Sequence, residues 1–172
     1  MNVLEGADLV DALYESALPC IQRFFELHEG ETFFGFAVEI LAEEGSFMLC
    51  AASVESFQST IEEYLQTGEP MESILGEDIK WNNQEWKYFD FNRECQLWNV
   101  SWQPARNRID AFTLGLRTLD DADRVLAQQK FNKMFLLAGK STFEKIMVSG
   151  VLDSVRKTED FRSFAFEHHE VF

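Results

Sequence analysis

Residues 32–41 read TFFGFAVEIL, and residues 47–52 read FMLCAA. The first segment is rich in aromatic and β-branched residues, with a large apolar side chain at every second position from Phe34 to Ile40, which is typical of a β-strand. The EEGS between the two segments has the composition of a turn. The sequence therefore predicts an antiparallel hairpin, in which Gly35 permits a bulge or the close approach of another segment.

Helices are predicted on both sides of the hairpin. Apolar residues recur every three or four positions over residues 7–28 and 54–66, which indicates two amphipathic helices. Pro19 lies within the first pattern, so we expect a kink or an interruption there. Asn82, followed by Glu85 three residues later, has the spacing of a capping box and predicts a helix start.

The C-terminal half is predicted to be mostly helical. One helix begins near Asp120 and is expected to end at Gly139. The capping box at residues 141–144 then predicts another helix, running to about Lys157. Alternating apolar and polar residues over 161–168 are typical of a terminal strand.

These elements predict an α+β fold in which a small antiparallel sheet packs against several helices. The length of 172 residues suits one domain spanning residues 1–172. Four Trp and 17 Phe provide ample material for a core, so the chain is not expected to be disordered.

Charge is distributed unevenly along the chain. The net charge is −15, and residues 1–79 hold 17 acids and a single base, Arg23. Residues 80–172 hold 13 acids and 14 bases. Binding to nucleic acid or to an anionic membrane requires cationic surfaces, so both partner classes are excluded by this composition.

The sequence gives no targeting signal that we can identify. The N-terminal residues MNVLEGADLV lack a basic segment followed by an apolar one. Cys20, Cys50 and Cys95 are odd in number and widely spaced, as expected of reduced and mostly buried thiols. We therefore expect a cytoplasmic protein.

Motifs of catalysis and metal binding are weak. Residues 154–157, SVRK, have a Ser-x-x-Lys spacing without its companion motifs, and residues 167–170, EHHE, place two His next to each other. Adjacent side chains diverge, so these His are poorly arranged for one metal ion. We predict no catalytic residue, no metal and no cofactor. An enzyme with an unrecognised carboxylate site stays open as an alternative.

The order of the predicted elements, followed by Trp81, Glu85 and Trp86 in the sequence IKWNNQEWKY, resembles a bacterial family known only as Domain of Unknown Function 4303. The resemblance is closest over about residues 5–95. The family supplies no catalytic residues. In size and acidity its members resemble immunity proteins, which neutralise toxins encoded beside them.

This resemblance and the charge distribution together predict an immunity protein, or antitoxin, that is not an enzyme. Its partner would be a cognate basic toxin, for example a nuclease, held by an acidic surface. A non-catalytic adaptor whose acidity serves only solubility is the other alternative, and the oligomeric state is left open. The predicted partner-binding residues are Glu39, Glu43, Glu44, Glu62, Glu63, Glu69, Glu72, Glu77 and Asp78.

Overall fold

The computed structural model describes residues 6–66, 68 and 80–168. These residues form a mixed sheet with helices on both of its faces, which confirms the α+β class. The elements in chain order are α1 (Gly6–Leu27), β1 (Phe33–Leu41), β2 (Ser46–Ser53), α2 (Val54–Gln66), a 3₁₀ turn (Asn83–Glu85), α3 (Gln96–Leu116), α4 (Asp121–Val148) and β3 (Lys157–Glu167).

The sheet has the strand order β2-β1-β3. β1 and β2 form the predicted antiparallel hairpin, with Val38 opposite Leu49. The predicted terminal strand is present as β3, but it runs parallel to β1, with Val38 opposite Ala165. The expectation of a purely antiparallel sheet is therefore wrong. Parallel neighbours need a long crossover, and here α2, α3 and α4 all lie between β1 and β3 in the sequence.

Both faces of β1 are covered, and every residue from Phe33 to Ile40 is buried. Phe36, Val38 and Ile40 belong to a core shared with α1, α3 and α4. The opposite face packs against α2 and the segment around Trp86. Such two-sided burial explains why the strand reads as an almost continuous apolar run.

α4 continues without a break through Gly139, where the sequence predicts the end of a helix. The prediction of two separate helices is therefore wrong. A Cβ at Gly139 would lie 2.7 Å from Ile40 Cδ1, which shows that this glycine allows α4 to approach β1 closely. Helix α4 ends at Val148, and Gly150 follows its C-cap with a φ of 75°. Asp120 caps the other end as predicted, because its carboxylate accepts the Asp123 N–H at 2.9 Å.

α1 also runs without interruption through Pro19, so the predicted interruption is wrong. Leu9, Leu13 and Ile21 on its inner face are completely buried. This packing against the sheet, α3 and α4 holds the helix together despite the N–H that proline lacks.

Trp86 packs against the backbone of β1 at Gly35. A Cβ at Gly35 would be 2.5 Å from Trp86 Cη2, which confirms the predicted close approach. The register of β1 also shifts between Phe33 and Gly35. The indole Nε1 donates a hydrogen bond to the Lys80 carbonyl at 2.8 Å. The residues that carry the family resemblance thus fix one layer of the fold.

Candidate functional site

The predicted partner-binding acids fall at three places in the structure. Glu62 and Glu63 are exposed on α2, and Glu43 and Glu44 are exposed in the turn between β1 and β2. Glu39 is fully buried and so does not belong to an exposed surface. Glu39 is buried because it lies on β1, a strand that is covered on both faces. The other four, Glu69, Glu72, Glu77 and Asp78, lie outside the described residues.

The acidic face of α2 carries Glu55, Glu62 and Glu63, and this helix contains no Lys or Arg. In the part of the chain that the structure describes, neither Glu62 nor Glu63 has an ion-pair partner. Leu65 is exposed beside them. Carboxylates without an ion-pair partner keep most of their field, and this field is available to a basic partner.

The β1–β2 turn is docked against α3 and α4. The Glu43 carbonyl accepts a hydrogen bond from Gln128, and the Glu44 carbonyl accepts one from Arg106. Gly45, with a φ of 60°, lies against Ile109. Because a guanidinium approaches this turn, its negative charge is partly offset, unlike that of α2.

The buried Glu39 carboxylate is paired at both oxygens. Asn83 Nδ2 donates to Glu39 Oε2 at 2.6 Å, and His168 Nδ1 contacts Glu39 Oε1. Asn83 also lies 3.7 Å from Cys50 Sγ. A buried carboxylate is stable only with such partners, so this cluster links β1, the 3₁₀ turn and the end of β3. A carboxylate that orients a histidine is also the arrangement found beside many general bases.

A second carboxylate cluster lies where α1 leads into β1. The Glu31 carboxylate contacts Ser53 Oγ, and it lies 2.7 Å from both Tyr88 Oη and His28 Nδ1. Burial alone would raise the pKa of Glu31, but these hydrogen bonds outweigh it and hold that pKa below its usual value. The same burial, together with the hydrogen bond to Glu31, raises the pKa of Tyr88. Glu31 is thus a charged hydrogen-bond acceptor that joins three segments, those of His28, Ser53 and Tyr88.

A cleft of about 800 Å³ opens between the second half of α1 and residues 87–97. Asp90 lines it with a φ of 53°, in the left-handed region. Burial raises the pKa of Asp90 to about 6, nearby Arg93 opposes the shift, and Glu39 adds to it. A shifted carboxyl on a residue in the left-handed region, lining a cleft, is typical of active and binding sites.

The thiols are arranged as the sequence predicts. Cys20 and Cys50 are buried, Cys95 is half-buried, and all three are free. Burial, and then the contact with Cys95, raises the pKa of Cys20, so it is a poor nucleophile at neutral pH. Within the described ranges, no three His, Cys, Asp or Glu side chains are grouped to hold a metal ion.

Sequence patterns did not reveal the Glu39–His168 contact or the cleft at Asp90. The available signal was the position of Glu39 as a single acid inside the apolar run of β1, since a charge there needs a buried partner. No local pattern identifies that partner, because His168 lies 129 residues further along the chain.

No described helix is both long and apolar enough to cross a membrane. No curated protein matches the chain. No solved structure matches it either. Residues 14–165 match the family described as Domain of unknown function (DUF4303), which is most of the chain. The protein therefore belongs to this family.

Proposed function

We propose that the protein is a cytoplasmic immunity protein that binds and neutralises a cognate basic toxin without catalysing a reaction. The observation that carries the proposal is the unpaired acidic face of α2. Glu62 and Glu63 are exposed and have no ion-pair partner in the described structure. They also lead into a stretch, residues 67–79, that contains four further acids and no base.

Such a surface suits a partner of opposite charge. Clustered carboxylates accelerate the encounter with a basic protein and exclude acidic competitors. Leu65 and Tyr64 provide apolar area beside the charges. Apolar contacts of this kind lower the rate of dissociation once the complex has formed. The substrate groove of a nuclease is a basic surface of the required type.

The proposal is tested with charge-reversal variants and a matched control. The test variant is Glu62→Lys with Glu63→Lys, and the control is Glu144→Lys with Glu159→Lys on α4 and β3. All four residues are exposed, and each pair changes the net charge equally. Each variant is co-expressed with the product of the adjacent gene, after circular dichroism has shown that it folds.

We expect the wild type and the control to suppress the toxicity of the neighbouring product. The α2 variant should bind at least about tenfold more weakly at low salt, and its binding should respond less to added salt. Equal loss in both variants would mean that only total charge matters. If the wild type neither binds nor protects, the immunity proposal is wrong.

An enzyme is the second candidate, and the shifted carboxyl of Asp90 in its cleft favours it. A carboxyl with a pKa near 6 can both give and take a proton near neutral pH. An Asp90→Asn variant that neutralises toxin as well as the wild type would separate the two candidates, because the immunity proposal does not use Asp90.

A further inference from the structure

The cleft between α1 and residues 87–97 has the size and lining of a small-molecule site. Its volume of about 800 Å³ lies within the range of cavities that hold small ligands. One wall comes from α1 and the other from the segment that follows the 3₁₀ turn. The acidic face of α2 does not contribute to this lining.

Cations gather in this cleft although the protein is strongly acidic. Arg23, Lys87 and Arg93 line it, and Arg23 is the only Lys or Arg before residue 80. Arg23 lies 3.4 Å from Glu26, but both side chains are largely exposed, and an exposed pair of this kind contributes little. The acids of the lining are Asp90 and Glu94, so the cleft brings three cationic side chains together in a protein of net charge −15.

Aromatic and aliphatic surface lies beside these cations. Phe24 and Phe91 stack with their ring centres 4.1 Å apart and form the inner wall. Leu27 is 63% exposed and Phe89 is 37% exposed, and both line the cleft. Leu27 and Phe89 thus present apolar surface that the fold itself leaves exposed.

The wall that carries Phe89 and Asp90 is held firmly. The Ala51 N–H donates to the Tyr88 carbonyl at 3.0 Å, and the Phe91 N–H donates to the Leu49 carbonyl at 2.9 Å. These bonds fasten the segment to the outer edge of β2. They also hold Asp90 in the left-handed conformation, which Asp adopts more readily than most residues.

We propose that this cleft binds a small anionic molecule with a flat aromatic ring. The ring packs between Phe89 and Leu27, and its phosphate or carboxylate accepts hydrogen bonds from Arg23 and Arg93. Guanidinium groups suit such anions because they form paired, charge-assisted hydrogen bonds. This site is separate from the acidic face of α2, so it holds or fails independently of the immunity proposal.

The test uses 1-naphthyl phosphate as the probe, with 1-naphthol and inorganic phosphate as its two halves. Binding is measured by calorimetry and by chemical-shift mapping of the backbone amides. We expect 1-naphthyl phosphate to bind about tenfold or more tightly than either half, with shifts at residues 87–97. Equal binding of phosphate alone or of naphthol alone would overturn the proposal, as would shifts elsewhere.

The charge requirement is tested with Arg23→Gln combined with Arg93→Gln. Arg108→Gln combined with Arg117→Gln is the matched control, since it removes two other guanidinium groups that do not line the cleft. The first variant should bind 1-naphthyl phosphate about tenfold more weakly and the control should bind it normally. Normal binding by the first variant, with a thermal transition like that of the wild type, would refute the proposed role of these arginines.

Discussion

Replacing Gly35 with Ala should destabilise the protein because the new methyl group would overlap the tightly packed ring of Trp86. Its Cβ would lie 2.5 Å from Cη2, 2.7 Å from Cζ2 and 3.3 Å from Cζ3 of Trp86. Carbon atoms in contact prefer about 3.5–4.0 Å, so the ring would have to shift by roughly 1 Å. Trp86 is buried, its edge contacts involve Phe34 and Phe164, and its Nε1 is bonded to Lys80.

The expected cost follows from two opposing effects. Overpacking of this kind costs about 1–3 kcal/mol. Ala in place of Gly in a strand returns about 0.5–1 kcal/mol through the lower entropy of the unfolded chain. We therefore expect the free energy of unfolding to fall by about 1–2 kcal/mol. Urea unfolding followed by far-ultraviolet circular dichroism measures this without relying on Trp86 fluorescence.

A double-mutant cycle identifies the cause. Trp86→Phe removes the outer ring and should cost about 2–4 kcal/mol through the cavity and the lost hydrogen bond. Gly35→Ala should then cost at least about 1 kcal/mol less in the Trp86→Phe background than in the wild type. Gly30→Ala is the control, since no atom lies within 4 Å of its Cβ position. An additive cycle, or an equal loss in Gly30→Ala and Gly35→Ala, would refute the steric explanation.

Two further predictions concern the carboxyl groups of Asp90 and Glu39. The pKa of Asp90 is raised to about 6, so its ionisation removes stability as the pH rises from about 4 to about 6. Asp90→Asn should thus be more stable than the wild type at pH 8 by about 1 kcal/mol, after allowance for solvent screening, and this advantage should vanish below pH ~4. Unfolding measured at both pH values checks this prediction. An equal difference in stability at both pH values would contradict it. Glu39→Ala leaves Asn83 and His168 without their acceptor and should cost about 3 kcal/mol, whereas Glu39→Gln retains an acceptor and a donor and should cost about 1 kcal/mol. Equal losses in thermal or urea unfolding would show that the carboxylate's hydrogen bonds are unimportant.

Local patterns were sufficient for β1, β2 and α2, because alternation and helical periodicity are properties of neighbouring residues. The same patterns failed at Gly139. A glycine in a helical sequence indicates either an end or a close contact, and only the position of Ile40 on another element decides between them. The parallel direction of β3 was missed for a related reason. The packing of α4 brings β3 alongside β1, and the residues of β3 themselves do not indicate its direction.

The same distinction between local patterns and tertiary packing applies to the candidate sites. Exposure of Glu62 and Glu63 follows from the periodicity of α2, which could be predicted. The burial of Glu39 depends on the covering of both faces of β1, and the cleft at Asp90 depends on residues from two distant segments. Such sites arise from tertiary packing, which a single sequence does not display.

The parallel pairing of β1 with β3 has a consequence for synthesis of the protein. His168 leaves the ribosome 129 residues after its partner Glu39, which is about ten seconds later at common rates of translation. During that interval one edge of the central strand lacks its neighbour, and its backbone groups are open to other chains. Molecular chaperones that shield extended apolar segments would act on this nascent chain until the last strand closes the sheet.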